Sequence, residues 1–169
     1  MTEAVKYSDG IQMIVDEHAP LRKQMDDIST FVNELKKKEN VTSEDADKLN
    51  ETVRAFVRQV GAHSVAEDLE LSPLLGKHLG MEARPIVGNA EQHHEAKRHL
   101  DLYKENLKAF QEGDKSRFDG VAQSLLEAVK VLTEHFDFEE AKLFPLAEQT
   151  LTEDEKGELF TRLKARKNA

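Results

Sequence analysis

Residues 49–73, LNETVRAFVRQVGAHSVAEDLELSP, and residues 121–145, VAQSLLEAVKVLTEHFDFEEAKLFP, carry one pattern twice. In the first, Leu49, Val53, Phe56, Val60, His63 and Glu67 follow one another in alternating steps of four and three. In the second, Val121, Leu125, Ala128, Leu132, His135 and Glu139 do the same, each 72 residues on. Such alternation is the seam of an α-helix that packs at a shallow angle against other helices. The likeness runs on through Asp68/Glu140, Leu71/Leu143 and Pro73/Pro145. Two further stripes match each other at an offset of 75: His18, Leu21, Met25, Ile28, Val32, Leu35, and His93, Ala96, Leu100, Tyr103, Leu107, Phe110. No segment alternates with the period of two that a strand needs. The pattern predicts an all-α chain, an antiparallel four-helix bundle running up-down-up-down through short connections.

Turn signals set the expected boundaries. Ser8-Asp9 caps a first helix that reaches about Lys38. Thr42 and Ser43 precede a second, expected to end near Ser72-Pro73, where proline interrupts the backbone ladder. Pro85 opens a third that stops at Gly113-Asp114, and Ser116 starts a fourth that Phe144-Pro145 should stop. Thr152-Glu153-Asp154-Glu155 is a capping box for a short fifth helix, about 152–166, carrying Leu159, Phe160 and Leu163. Pro20 lies inside the first stripe and predicts a bend in one continuous helix. The whole of 1–169 reads as one domain, with the bundle at about 8–147.

Composition narrows the function classes. Lys+Arg 24 against Asp+Glu 33 leaves a net charge of −9 over 169 residues, whereas nucleic acid or an anionic membrane requires a basic face. The basic residues near the C-terminus (Arg162, Lys164, Arg166, Lys167) read as a solvated helix end. With Cys 0, thiolate catalysis, iron–sulfur ligation and a disulfide framework are excluded. No run approaches the ~20 apolar residues of a membrane span, and MTEAVKYSDG at the N-terminus has no apolar leader segment. A cytoplasmic protein is expected. No Gly-rich phosphate loop or nucleophile elbow is present.

His18, His63, His93, His135, Glu67 and Glu139 stand on seams where Leu or Val would be expected. Burying them without partners would cost several kcal/mol, too much for a fold of ordinary marginal stability. Counted from the helix ends, all four histidines lie about 12–15 Å from the same end of an antiparallel bundle, at ~1.5 Å per residue. His63/Glu67 and His135/Glu139 are i, i+4 pairs, each sharing one helix face. A metal cluster satisfies all six groups together. The set suggests a dinuclear centre in which each metal takes two histidines and the glutamates bridge. Imidazole with carboxylate suits Fe, Mn or Zn, and six protein ligands leave positions open for a small molecule.

At VDEHAPLRKQM, HSVAEDLELSPLL, AEQHHEAKRHL and HFDFEEAKLFPL the sequence resembles the haemerythrin-like (HHE cation-binding) family, over roughly residues 8–147. The resemblance implies a four-helix bundle with a non-haem di-iron centre, two iron ions bridged by oxo or hydroxo, that binds or reacts with O2, NO or peroxide or takes part in iron sensing. Carried over by residue, His18, His63, His93 and His135 match the imidazole ligands, and Glu67 and Glu139 match the carboxylates. Lys97 stands where oxygen carriers have a second histidine on the third helix, and Glu140 stands where they have aspartate. The four-His, two-Glu pattern is similar to members linked to nitric-oxide stress and iron–sulfur repair, though their cysteine-bearing N-terminal segment has no counterpart here. A di-iron enzyme of oxidative or nitrosative stress defence, or an iron-handling protein, is the alternative to a ligand-binding module.

Other polar residues are read as bystanders. His94 points 100° away from His93, and His99 is off the stripe, so both belong to the surface. His78 is expected in a solvated loop after Pro73, and Tyr103 in the core. Asp68 and Glu140 are the alternatives to Glu67 and Glu139 if the helix phase differs. Glu91-Gln92-His93-His94 holds a single Glu-x-x-His, too little for a ferritin-like di-iron site.

Overall fold

The computed structural model describes residues 5–169; Met1–Ala4, the start of the MTEAVKYSDG stretch read above, lie outside them. The chain is all-α, with no strand among the described residues. In order it forms α1 (Asp9–Lys36), α2 (Ser43–Ala66), α3 (Ser72–Leu79), α4 (Arg84–Gln111), α5 (Phe118–Phe138), α6 (Phe144–Thr150) and α7 (Glu153–Lys167). The four long helices fall where the four stripes do. α1 remains helical through Pro20. Thr152 caps α7 as expected: its hydroxyl accepts from the Glu155 amide, and the Glu155 carboxylate accepts from the Thr152 amide.

Two boundaries differ from expectation. Pro73 and Pro145 do not stop their helices. Each sits in the first turn of a new helix, α3 or α6, a position that tolerates proline. Ahead of each proline the backbone makes one π turn, Glu67–Leu71 and Glu139–Leu143. There the amide of Ser72 donates to the Glu67 carbonyl and that of Phe144 to the Glu139 carbonyl, a five-residue reach instead of four. The extra residue rotates the next helical segment by about 100° around the axis, so the helix continues on a new face. Consequently His78 is helical, not in a loop, and its ring nitrogen lies 2.6 Å from Glu155 Oε1.

The chain forms two compact units, each with its own core. One comprises Leu21–Val60 and Gln92–Glu134. The apolar residues of the stripes are buried there, from Leu21, Met25 and Ile28 on α1 to Val121, Leu125 and Leu132 on α5. Tyr103, 1% exposed, donates its hydroxyl to Asn50 Oδ1 at 2.9 Å and ties α4 to α2. Gly113, at φ 113°, makes the left-handed turn that ends α4, a conformation open to glycine at little cost.

The other unit comprises Gly61–Glu91, His135–Ala169 and the described residues up to Pro20. Its core joins Ile11 and Ile14 of α1, Leu74 and Leu75 of α3, Phe144 of α6, and Leu159 and Leu163 of α7. α7 is held by charge as well: Arg162 and Arg166 reach Glu70 at 3.5 and 2.8 Å. Glu70 belongs to the first π turn, so the C-terminal helix braces the segment that carries Glu67. Where α1 begins, Gly10 packs so closely on α7 that a Cβ would stand 2.9 Å from the Phe160 backbone nitrogen.

Candidate metal centre

Five of the six polar seam residues lie in this second unit. His18 comes from α1, His63 from α2, Glu67 from the π turn after α2, His135 from α5 and Glu139 from the π turn after α5. Each is at most 1% exposed. One ligand atom each from His18, His63, Glu67 and Glu139 can be chosen so that all four lie within 4.8 Å of one another. The helix phase inferred from the seams points Glu67 and Glu139, rather than their neighbours, toward the core. Glu67 and Glu139 are buried, whereas Asp68 is half-buried and Glu140 exposed.

The imidazoles surround the carboxylates in an ordered way. Glu139 Oε1 lies 3.3 Å from His18 Nε2 and 3.2 Å from His135 Nε2, between rings of α1 and α5. Glu67 Oε1 meets His63 Nε2 at 2.5 Å. On its other side, each of two rings faces a second acid: His63 Nδ1 lies 3.5 Å from Glu17 Oε1, and His18 Nδ1 lies 3.5 Å from Glu140 Oε1. An Nδ1–H directed at a carboxylate fixes the tautomer and leaves the Nε2 lone pair for a metal. Phe136, fully buried, stacks on His18 with centroids 4.0 Å apart and planes at 15°, and meets His63 edge-on at 5.6 Å.

The electrostatics are those of crowded acid. Burial lifts the Glu139 carboxyl well above the usual range, and the charges of Glu67, Glu140 and Asp68 add to the lift. Burial pulls the His63 imidazole down, but Glu17 and Glu67 more than reverse this and raise it to about 9. Two carboxylates forced together in a dry layer favour a cation beside them, and the imidazoles, once deprotonated, could complete its shell. The donor set therefore fits a metal of the Fe, Mn or Zn class. It could hold one.

His93 stands on α4, half-buried. It lies one helical turn after Asn89 and so shares its face. Asn89 is 1% exposed, and its Nδ2 donates to Glu67 Oε2 at 3.4 Å. Sequence reasoning passed over this asparagine, although it extends the third stripe backward by one step of four. It also missed Glu17 and the contact Glu140 makes. Tyr103 is core as expected, and His94 is exposed. His99 is half-buried rather than on the surface, 4.0 Å from Glu95 Oε1 one turn earlier.

Among the described residues no helix is long and apolar enough to cross a membrane. Residues 9–166 match the model of the hemerythrin HHE cation-binding domain. Over 116 residues the chain is 30% identical to an uncharacterized hemerythrin-like protein of the fission yeast Schizosaccharomyces pombe. That match covers 68% of this chain and 53% of the yeast protein, so the chain spans about half the length of that relative. No solved structure is a significant match.

Proposed function

Because the chain belongs to the haemerythrin HHE cation-binding family, we propose that it is a non-haem di-iron protein whose buried centre binds or reacts with a small ligand, O2, NO or peroxide. In this reading His18, His63, His93 and His135 supply imidazole, Glu67 and Glu139 bridge, and 1–169 works as one domain. The observation that carries it is the buried cluster of His18, His63, Glu67 and Glu139, four metal-type donors with ligand atoms within 4.8 Å. Resident iron would supply Lewis acidity and redox capacity toward the ligand.

The chain's own groups prepare the site. Glu17 and Glu140 orient two rings through Nδ1, so that Nε2 is offered inward. Phe136, with Phe144 at 5.4 Å from the His18 ring, walls that ring with carbon and keeps water off it. His93 adds a fourth imidazole from the helix face that already bears Asn89. Both π turns begin at the two glutamates that would hold the metal, so each Glu leaves a helix at the point where the backbone is re-aimed.

The test is the optical spectrum of the anaerobically iron-loaded protein on exposure to O2, NO and peroxide in turn. A ligand-dependent charge-transfer band supports the reading, and no response to any of the three overturns it. Counting ligand consumed per site then separates a carrier, with one equivalent, from an enzyme, with many.

A further inference from the structure

We propose that Asn89 is a positioning residue for the Glu67 carboxylate, so that metal affinity depends on an amide that itself binds no metal. The inference rests on the reading that Glu67 is a ligand. Glu67 directs one oxygen to His63 and the other to Asn89 Nδ2, 3.4 Å away. A carboxylate only accepts, so the NH2 end of the amide must face it. The amide limits rotation of the carboxylate about its terminal bond, the freedom a bridging ligand has to lose.

The rest of the Asn89 side chain argues that stability is not its purpose. The residue is 1% exposed, yet its carbonyl Oδ1 is buried with no hydrogen-bond partner among the described residues. A buried polar atom left unsatisfied is unfavourable and calls for an explanation in each case. Leucine has nearly the same shape and would bury no such oxygen, so packing alone would be served better by leucine. Asparagine stands there instead, its Oδ1 unused and its Nδ2 directed at Glu67. Its place one turn before His93 puts the device and the fourth imidazole on one face of α4.

The experiment compares the full chain with Asn89→Leu, Asn89→Ala and Glu67→Gln. Ferrous iron is titrated anaerobically against a chelator of known affinity, and melting is followed with and without the metal. Loss of an outer partner of a metal ligand typically weakens affinity about 10–100-fold, and both Asn89 variants should fall in that range. Their rise in melting temperature on adding iron should shrink accordingly. A merely structural asparagine would instead lower both melting temperatures together and leave affinity at the parent level, and that result overturns the proposal. Should Asn89→Leu not fold, Asn89→Ala, which relieves any clash, carries the same test. If Glu67→Gln weakens iron binding while neither Asn89 variant does, this inference alone fails. If Glu67→Gln also binds iron as the parent does, the ligand role of Glu67 fails first.

Discussion

Replacing Phe136 by alanine should be among the most damaging single changes near the centre. The ring is 0% exposed, stacks on His18 at 4.0 Å, touches His63 edge-on at 5.6 Å and lies 5.9 Å from the His135 ring. Truncating a buried Phe to Ala typically costs about 3–5 kcal/mol, through lost transfer energy and the cavity left behind. The stacked geometry adds about 0.5–1.5 kcal/mol beyond area, which places this site toward the upper end. For a chain of this length each kcal/mol moves the melting midpoint by roughly 2–4 °C, so Phe136→Ala should melt about 6–20 °C below the parent. Phe136→Leu keeps most of the volume and should cost less than about 1.5 kcal/mol. Far-UV circular dichroism melts of the three proteins, metal-free and iron-loaded, read these differences. Alanine and leucine variants melting together, both near the parent, would show that the ring supports neither the core nor the His18 plane.

Gly10→Ala should destabilise by about 1–3 kcal/mol, since its Cβ would meet the Phe160 backbone at 2.9 Å, whereas Gly61→Ala, with nothing among the described residues within 4 Å, should stabilise α2 by up to about 1 kcal/mol in the same thermal melts. Glu155 is held at about 2, first by the Thr152 amide and then by His78, below the ordinary carboxyl value of 4.5. Its contribution is therefore fully present above about pH 5 and fades as pH falls from there toward 2, so the melting gap between parent and Glu155→Gln should close over that window; a gap independent of pH contradicts the assignment. Pro145→Ala restores an amide just past the π turn, so that turn should tighten toward α-helix and move Glu139 off its place. Iron content should drop while overall helicity holds; unchanged iron would mean that the proline does not set the turn.

The stripes make most of the architecture readable, because a helix that buries one face must repeat that face in its sequence. The same phase picks Glu67 over Asp68 and Glu139 over Glu140, and the structure buries the two chosen. The π turns are hidden for a physical reason. Proline after an apolar run signals a stop just as well as a restart, and only the backbone shows that Ser72 and Phe144 reach back five residues. Hence the sequence suggests helix ends where α3 and α6 begin, and a loop at His78. The outer contacts are equally hidden. Glu17 faces His63 from a different helix, as Glu140 faces His18, and no spacing along one chain segment encodes a meeting of two side chains. Asn89 could have been found by extending the third stripe one step, had a polar residue there been counted as part of it.

Whether the buried histidines and glutamates hold iron is tested most directly by metal content per chain. Elemental analysis of the anaerobically iron-loaded parent should give about two irons per chain, as a two-metal carboxylate-bridged site requires, and His135→Ala should bind clearly less. A parent that binds no iron after loading, or a His135→Ala variant with the parent's full content, would show that these side chains do not form an iron site.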